Sequence, residues 1–249
     1  MIDLKKKVVI VTGGSGFLGS RIAKIISLNN GIPIVIDNKL NKDKSVKHDF
    51  FKTDITKLNE VKNTIKKIIK KYNKIDCLIN NAALNTNILK NKQKLEDFSV
   101  KQWNKEISVG LTGALIVTQE VIKPMIKKKS GSIINISSDL GLIAPNQSIY
   151  NFNTKKPVSY SVIKHGMVGF GKYLATYLAD KNIRSNILCP GGIYNKQPKK
   201  FVKKLTKLIP LKRMAKINDY DGIILYLCSD YSSYMTGSVI SCDGGRTAW

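Results

Sequence analysis

Three observations predict an α/β fold in which helices cover both faces of a doubly wound parallel sheet. Short apolar runs alternate with amphipathic segments along the whole chain, the signature of strands and helices in turn. The first apolar run feeds directly into a glycine-rich turn, Thr12-Gly13-Gly14-Ser15-Gly16-Phe17-Leu18-Gly19. The chain has 249 residues, 43% of them hydrophobic, which suits one sizeable core and one domain.

The elements follow in order. Val8–Val11 is a short apolar run before glycines and reads as a buried strand. Gly19 to Leu28 is a helix stopped by Asn29-Asn30-Gly31, and Pro33–Ile36 is a second strand ending at Asp37. The polar stretch Lys39–Lys47 is a loop, and Phe50–Thr53 is a third strand. Asn59–Tyr72 places Val61, Ile65, Ile68 and Ile69 at helical spacing, with lysines on the other face. Cys77–Ile79 is a fourth strand, Val100–Lys128 a long helix with Pro124 near its end, and Ser132–Ser137 a fifth strand. Tyr160–Lys181 is a helix, Arg184–Leu188 a sixth strand running into Cys189-Pro190-Gly191-Gly192, Asp219–Ser229 a helix and Val239–Cys242 the last strand. Right-handed crossovers and an N-terminal phosphate turn make this a Rossmann sheet. Residues 1–100 are assigned mainly to cofactor binding, and 130–217 to catalysis and substrate loops.

The net charge is +25, which raises nucleic acid or a membrane surface as partners. Only Arg21, Arg184, Arg213 and Arg246 are arginines among the 42 basic residues, and arginine is the residue suited to bidentate phosphate and base contacts. The lysines are spread through every segment beside many isoleucines and asparagines, a pattern of AT-rich coding rather than of a nucleic-acid footprint. A phosphate-bearing substrate is compatible with the charge. No apolar run approaches membrane-spanning length, and Val8–Val11 is too short for a signal-peptide core. Cys77, Cys189, Cys228 and Cys242 form no C-x-x-C pair, so reduced thiols in a cytoplasmic protein are expected. No metal site is expected.

The glycine turn allows the backbone to bend tightly and approach a pyrophosphate, which the following helix N-terminus receives. Asp37 lies 18 residues after Gly19. A carboxylate there accepts from adenosine ribose hydroxyls and repels a 2′-phosphate, favouring NAD over NADP. Lys39 and Lys42 could neutralise a 2′-phosphate, which leaves NADP open. Farther on, Tyr160-Ser-Val-Ile-Lys164 puts tyrosine and lysine on one helix face. The ammonium is expected to lower the tyrosine pKa and make it an acid or base near neutrality. His165, next in sequence, faces elsewhere and reads as structural.

These motifs, with Asn80-Asn81-Ala82-Ala83 and Ser138 at two strand ends, resemble the compact short-chain dehydrogenase/reductase family over nearly the whole chain. The resemblance implies that Tyr160 is the general acid in reduction and base in oxidation. It implies that Lys164 tunes Tyr160 and holds the nicotinamide ribose, and that Ser138, rather than its neighbour Ser137, hydrogen-bonds the substrate oxygen. It assigns Gly13, Ser15, Gly16, Phe17, Leu18, Gly19, Asp37, Asp54, Ile55, Asn81, Ala82, Ala83, Pro190, Gly191 and Ile193, together with Tyr160 and Lys164, to the cofactor. It places Asn80 in sheet support. A homodimer or homotetramer is implied as well.

Three features depart from the family pattern. The turn reads T-G-x-x-G-x-x-G, a spacing more usual in extended members. Gly110 stands where a helix asparagine normally supports the water of a proton relay, so either the relay is rewired, through Ser108 or Thr112, or turnover is lost. Tyr160 follows Ser138 by 22 residues, more than is usual. The extra segment, Asn146 to Pro157 with Tyr150, Asn151, Asn153 and Thr154, is expected to border a pocket for a hydroxylated substrate. Lys196 to Lys216 carries nine basic residues. It corresponds to the family's substrate lid and could hold a phosphate or carboxylate, and the AT-rich coding bias explains its lysines about as well. The stretches Val109–Gly113, Ser138-Asp139-Leu140-Gly141, Tyr160–Gly166 and Gly245–Trp249 are similar to bacterial oxidoreductases of surface-polysaccharide or flagellin-glycan synthesis, implying a sugar or sugar phosphate. A dinucleotide-binding sensor or partner subunit without turnover is the alternative.

Overall fold

The structure, a computed structural model, describes residues 2–40, 48–84, 94–150 and 155–249; Lys42, Asn151, Asn153 and Thr154 lie outside them. In chain order the elements are β1 (Val8–Thr12), α1 (Phe17–Leu28), β2 (Ile32–Asp37), β3 (Asp49–Lys52), α2 (Leu58–Tyr72), β4 (Cys77–Asn80), α3 (Val100–Ile107), α4 (Gly113–Lys128), β5 (Gly131–Ile136), α5 (Val158–Tyr177), β6 (Ile183–Pro190), α6 (Lys199–Thr206), α7 (Asp221–Cys228) and β7 (Val239–Cys242). The strands form one seven-stranded sheet in the order β3-β2-β1-β4-β5-β6-β7, parallel at every pairing.

Strand alternation divides the core into two layers. Val8, Ile10, Ile34, Leu78 and Ile133 face Val61, Ile65 and Ile68 of α2, Val117, Val121 and Met125 of α4, and Leu174 of α5. Val9, Val11, Ile79, Ile134 and Leu188 face Ile22, Ile25 and Ile26 of α1 and Ile224, Leu227 and Cys228 of α7. Because successive strand side chains point to opposite faces, each strand needs apolar residues throughout. That is why the strands read as continuous rather than alternating runs. The order reverses between β1 and β4, and the crevice at the carboxyl ends there is where ligands of open α/β sheets sit.

The predicted order of elements matches, with three differences. The helix expected over Val100–Lys128 is interrupted by one π-helical turn, Ser108–Thr112, the kind of bulge that marks functional positions in helices. By length and composition that stretch, with its interruption, is apolar enough to cross a membrane; here it covers the sheet, and Val117, Val121 and Met125 are in the core. The helix carrying Tyr160 begins two residues before it, at Val158, and gives way after Tyr177 to a 3₁₀ turn, Ala179–Lys181. Lys199–Thr206, which the sequence leaves without an element, is the helix α6. Its Leu205 is buried, with Phe201 and Val202 packed nearby in a small cluster with Ile149, Ile209 and Met214, and its lysine-rich remainder conceals the amphipathic period.

Polar residues tie the strand ends together. The Thr12 hydroxyl accepts from the backbone N–H groups of Asn81 and Ala82, both at 3.1 Å. Asn81 Nδ2 donates to the carbonyls of Thr12 and Gly13 at 3.0 and 3.1 Å. Inside the sheet, Asn80 Nδ2 donates to Thr118 and Asn135, and Asn135 donates to Ser185. This is the sheet-supporting part expected of Asn80. Burying so many amides is tolerable because nearly all are paired; Asn80 Oδ1 is the exception among the described residues.

Candidate active site

Two adjoining cavities open along the carboxyl ends of the strands. The larger, about 660 Å³, is lined by Gly13, Ser15, Gly16, Phe17, Leu18 and Gly19 of the turn. Asp37, Asp54, Ile55, Asn81, Ala82, Ala83 and Ile193 complete its wall, with Tyr160 at its inner end. Gly13 is in the left-handed region at φ +62° and lies against Ala82, whose Cα would be 2.8 Å from an added Cβ. At Gly19 a Cβ would fall 2.2 Å from the Gly13 carbonyl. Both positions therefore require glycine, whatever the spacing of the turn. No side chain caps α1, which leaves the donor groups of its first turn for a ligand anion. Asp37 accepts from Ser15 N–H at 3.1 Å and Lys39 N–H at 3.2 Å, so its carboxylate braces the turn as well as facing the cleft. Hydrogen bonds from Thr56 hold the Asp54 carboxyl below its ordinary pKa. The size of the cleft, the glycine turn and the uncapped helix together fit a dinucleotide.

The smaller cavity, about 330 Å³, is lined by Ser138, Tyr160, Lys164, Pro190, Gly191 and Ile193. It shares Leu18, Asn81, Lys156, Tyr160, Ile193 and Gln197 with the larger one. Tyr160 thus stands at the junction. Ser137 and Ser138 differ in role: the Ser137 hydroxyl donates to the backbone carbonyl of Lys164 at 2.7 Å, fastening β5 to α5, whereas Ser138 lines the smaller cavity together with Tyr160 and donates its hydroxyl proton to Asp139. Lys164 Nζ donates to the Ile136 carbonyl at 2.9 Å, and burial brings its pKa down to about 8. The expected lowering of the Tyr160 pKa by Lys164 is not what this arrangement gives. Burial pushes the phenol up, with the neighbouring Ser138 hydroxyl opposing it and the Asp139 charge adding to the rise. The physical reason is placement: Lys164 Nζ is 5.8 Å from the Tyr160 ring centroid, with a proton committed to a carbonyl. His165 is exposed, its Nδ1 2.9 Å from the Ser161 carbonyl, as expected of a structural residue.

Three residues of this cavity escape the sequence reading. Asp139 is buried and accepts from the Ser138 hydroxyl at 2.7 Å and from Leu140 N–H at 2.8 Å. Its other oxygen accepts from Arg246 at 2.6 Å, both side chains being almost wholly buried. Removing one partner from such a pair typically costs about 3–5 kcal/mol, because a charge is left unmatched. The two residues lie in the two short stretches of sugar-oxidoreductase resemblance noted above; 107 positions apart, they give no local sign of pairing. The third is Lys156, on the extra segment. Its Nζ lies 3.5 Å from the Tyr160 ring centroid, and burial, with Lys164 and Arg246 adding to it against Asp139, brings its pKa down to about 8. Tyr150 of the same segment also lines the cavity, 5.5 Å from Phe201 between ring centroids, and burial pushes its phenol up to about 12.

The basic stretch after β6 turns most of its charge to solvent. Lys196, Lys199, Lys200, Lys203, Lys207, Lys212, Arg213 and Lys216 are exposed, and Lys204 donates to the Ser148 carbonyl. That region instead gives the smaller cavity Gln197, Phe201, Leu205 and Met214. Its helix turns the apolar stripe inward and leaves the lysines in water, which lowers the cost of their charge.

Gly110 is buried in the π turn, and an added Cβ would meet the Ile163 side chain at 2.7, 3.0 and 3.2 Å. The room an asparagine would need is occupied by Ile163, one residue before Lys164. Gly110→Asn is therefore expected to destabilise the fold by about 1–3 kcal/mol, read by urea unfolding, and Ile163→Ala in the same chain should recover part of the loss. Equal losses with and without Ile163→Ala would show that the crowding lies elsewhere. A second outcome concerns pH. The pKa of Lys164 is lowered in the folded chain, from 10.5 to about 8. The unfolded chain then binds more protons between those values, and stability from this group rises with pH there. Lys164→Met is expected to be more stable than the parent at pH 7, with the advantage shrinking from about pH 8 to 10.5. Urea melts across that range test it, and a constant difference would contradict it.

Comparison with known proteins accords with this geometry. The family model described as enoyl-(acyl carrier protein) reductase matches residues 36–247. The 3-oxoacyl-[acyl-carrier-protein] reductase FabG of Thermotoga maritima is 34% identical, the match covering 97% of this chain and 98% of that protein. The post-translational flagellin modification protein A of Campylobacter coli is 32% identical over 97% and 98%. A short-chain dehydrogenase of Leptospira borgpetersenii, solved with bound NAD+, is 30% identical and superposes with a TM-score of 0.90, covering 98% of this chain and 94% of that one. With a parallel sheet, a glycine turn and a serine, tyrosine and lysine gathered at one cavity, the chain belongs to the short-chain dehydrogenase/reductase family of oxidoreductases.

Proposed function

We propose that this chain is an NAD(P)-dependent oxidoreductase interconverting a secondary alcohol and a ketone on a sugar or sugar phosphate, in surface-glycan synthesis within a reducing cytoplasm. The observation that carries the reading is Tyr160 at the junction of the two cavities, with Ser138 and Lys164 lining the smaller one beside it. A nicotinamide dinucleotide in the larger cavity would supply or take the hydride. Asp37 faces its adenosine ribose and favours NAD, while Lys39 on the same wall would tolerate a 2′-phosphate. Ser138 orients the substrate oxygen, and Tyr160 gives or takes its proton at the phenol oxygen. Lys164 holds the nicotinamide ribose. The polar wall of Tyr150, Gln197 and Arg246 supports a hydroxylated substrate, as does the likeness to the flagellin modification protein.

A second reading is reduction of a 3-oxoacyl thioester, favoured by the 34% identity to the Thermotoga reductase. A sensor without turnover is the third. Gly110, standing where the family's relay asparagine would be and packed against Ile163, is the feature that supports it.

The test is binding of NADH and NADPH followed by turnover on keto-sugars, their phosphates, nucleotide sugars and acetoacetyl thioesters. Oxidation of NADH by a sugar derivative, lost about 10²- to 10⁴-fold in Tyr160→Phe, is expected. Preference for the thioester would install the second reading, and NADH binding without turnover on any panel member the third. A homodimer or homotetramer is expected by light scattering, because α4 and α5 leave Leu115, Val162, Tyr173 and Tyr177 exposed; a monomer would contradict it.

A further inference from the structure

The larger share of the positive charge around the smaller cavity is accounted for, and one part is not. Arg246 is matched by Asp139, and Lys164 is fixed on the Ile136 carbonyl. Asp139 is already engaged by Arg246, Ser138 and Leu140. Glu106, the other carboxylate acting on Lys156, accepts from Ser159 and Gln102. Lys156 is partly buried, yet its ammonium makes no hydrogen bond or ion pair among the described residues. It lies over the face of the Tyr160 ring, 3.5 Å from the centroid. Its backbone is held: the N–H donates to Gln147 Oε1 at 3.0 Å and the carbonyl accepts from Gln147 Nε2 at 3.3 Å. Lys156 is thus an anchored, unmatched cation beside the residue that handles the substrate proton. Partial burial without a counter-charge is costly, and an anionic ligand removes that cost.

We propose that Lys156 is the anion anchor of the substrate pocket, receiving a carboxylate or phosphate carried by the substrate itself. The proposal rests on the oxidoreductase reading above and narrows its substrate. An ammonium on the Tyr160 ring is close to the phenol oxygen, so the anionic group lies about two to four bonds from the reacting carbon. Sugar acids with a keto group near the carboxylate, and short keto-phosphates, meet that condition. A neutral sugar does not, nor does a nucleotide sugar whose phosphates are remote from the reacting carbon. The lysine selects among substrates and does not itself move the proton.

The experiment compares paired probes in the presence of NADH: acetoacetate against its methyl ester, and dihydroxyacetone phosphate against dihydroxyacetone. For the parent enzyme, kcat/KM is expected to be higher for the anionic member of a pair. Lys156→Met should raise KM for that member by about 10- to 100-fold, leave the neutral member and the NADH dissociation constant within about twofold, and be partly rescued by Lys156→Arg. Equal losses on both members would place Lys156 in service of Tyr160 and overturn the proposal. Weaker NADH binding in Lys156→Met would assign the cation to the cofactor phosphates and overturn it as well. Should no probe turn over, calorimetric titration of acetoacetate and inorganic phosphate into the NADH complex reads the same point: tighter binding to the parent than to Lys156→Met supports the anchor, and equal binding overturns it. Should neither NADH nor NADPH bind, the oxidoreductase reading fails on its own, and the same titrations into the free enzyme decide the anchor.

Discussion

The join between β5 and α5 is the constraint on which the site depends. Two hydrogen bonds run across it in opposite senses. Ser137 gives its hydroxyl proton to the carbonyl of Lys164, and Lys164 gives an ammonium proton to the carbonyl of Ile136. Together they fix where the helix starts its passage over the strand end, and Tyr160 is one turn upstream on that helix. The fit leaves no slack. A Cβ at Gly141 would lie 2.3 Å from the Ser137 oxygen and 2.7 Å from the Lys164 carbonyl. Ser138 next to Ser137 must then point the other way, into the cavity, because successive residues leaving a strand alternate in direction.

The cost of this join is a buried ammonium, and the surroundings are arranged around it. The strand ends supply carbonyls rather than carboxylates, so Lys164 is held without being neutralised. The carboxylate that is present, Asp139, is taken by Arg246. A pocket with more cations than anions follows, and it raises the local potential felt by any ligand. The overall lysine excess contributes little to that, since the lysines of α6 and its neighbours point to water. Local pairing, rather than net charge, sets the electrostatics of the site.

Much of the fold is written locally. β1 through β6 are apolar runs beside helical periods, and Gly13 and Gly19 announce a turn that only glycine can make. The positions of Ser138, Tyr160 and Lys164 follow from motifs whose spacing reflects one turn of helix and one strand end. What stays hidden is whatever depends on residues far apart in the chain or on helix irregularity. The π turn at Ser108–Thr112 has no distinctive composition. The α6 period is masked by lysines that serve the solvent face. Asp139 and Arg246 pair from beyond the ends of β5 and β7, and Lys156 lies on Tyr160 with its backbone held by Gln147. The Tyr160 pKa illustrates the same limit: spacing places a lysine on the right face, but burial and hydrogen bonding decide the direction of the shift.

The packing of Ile163 against Gly110 has a historical consequence. The two positions constrain one another: with isoleucine in place, an asparagine in the π turn meets its side chain and costs stability. Descendants of this lineage should therefore keep the pair or exchange both members together, and the identity at either position would report on the other across an alignment of its kin.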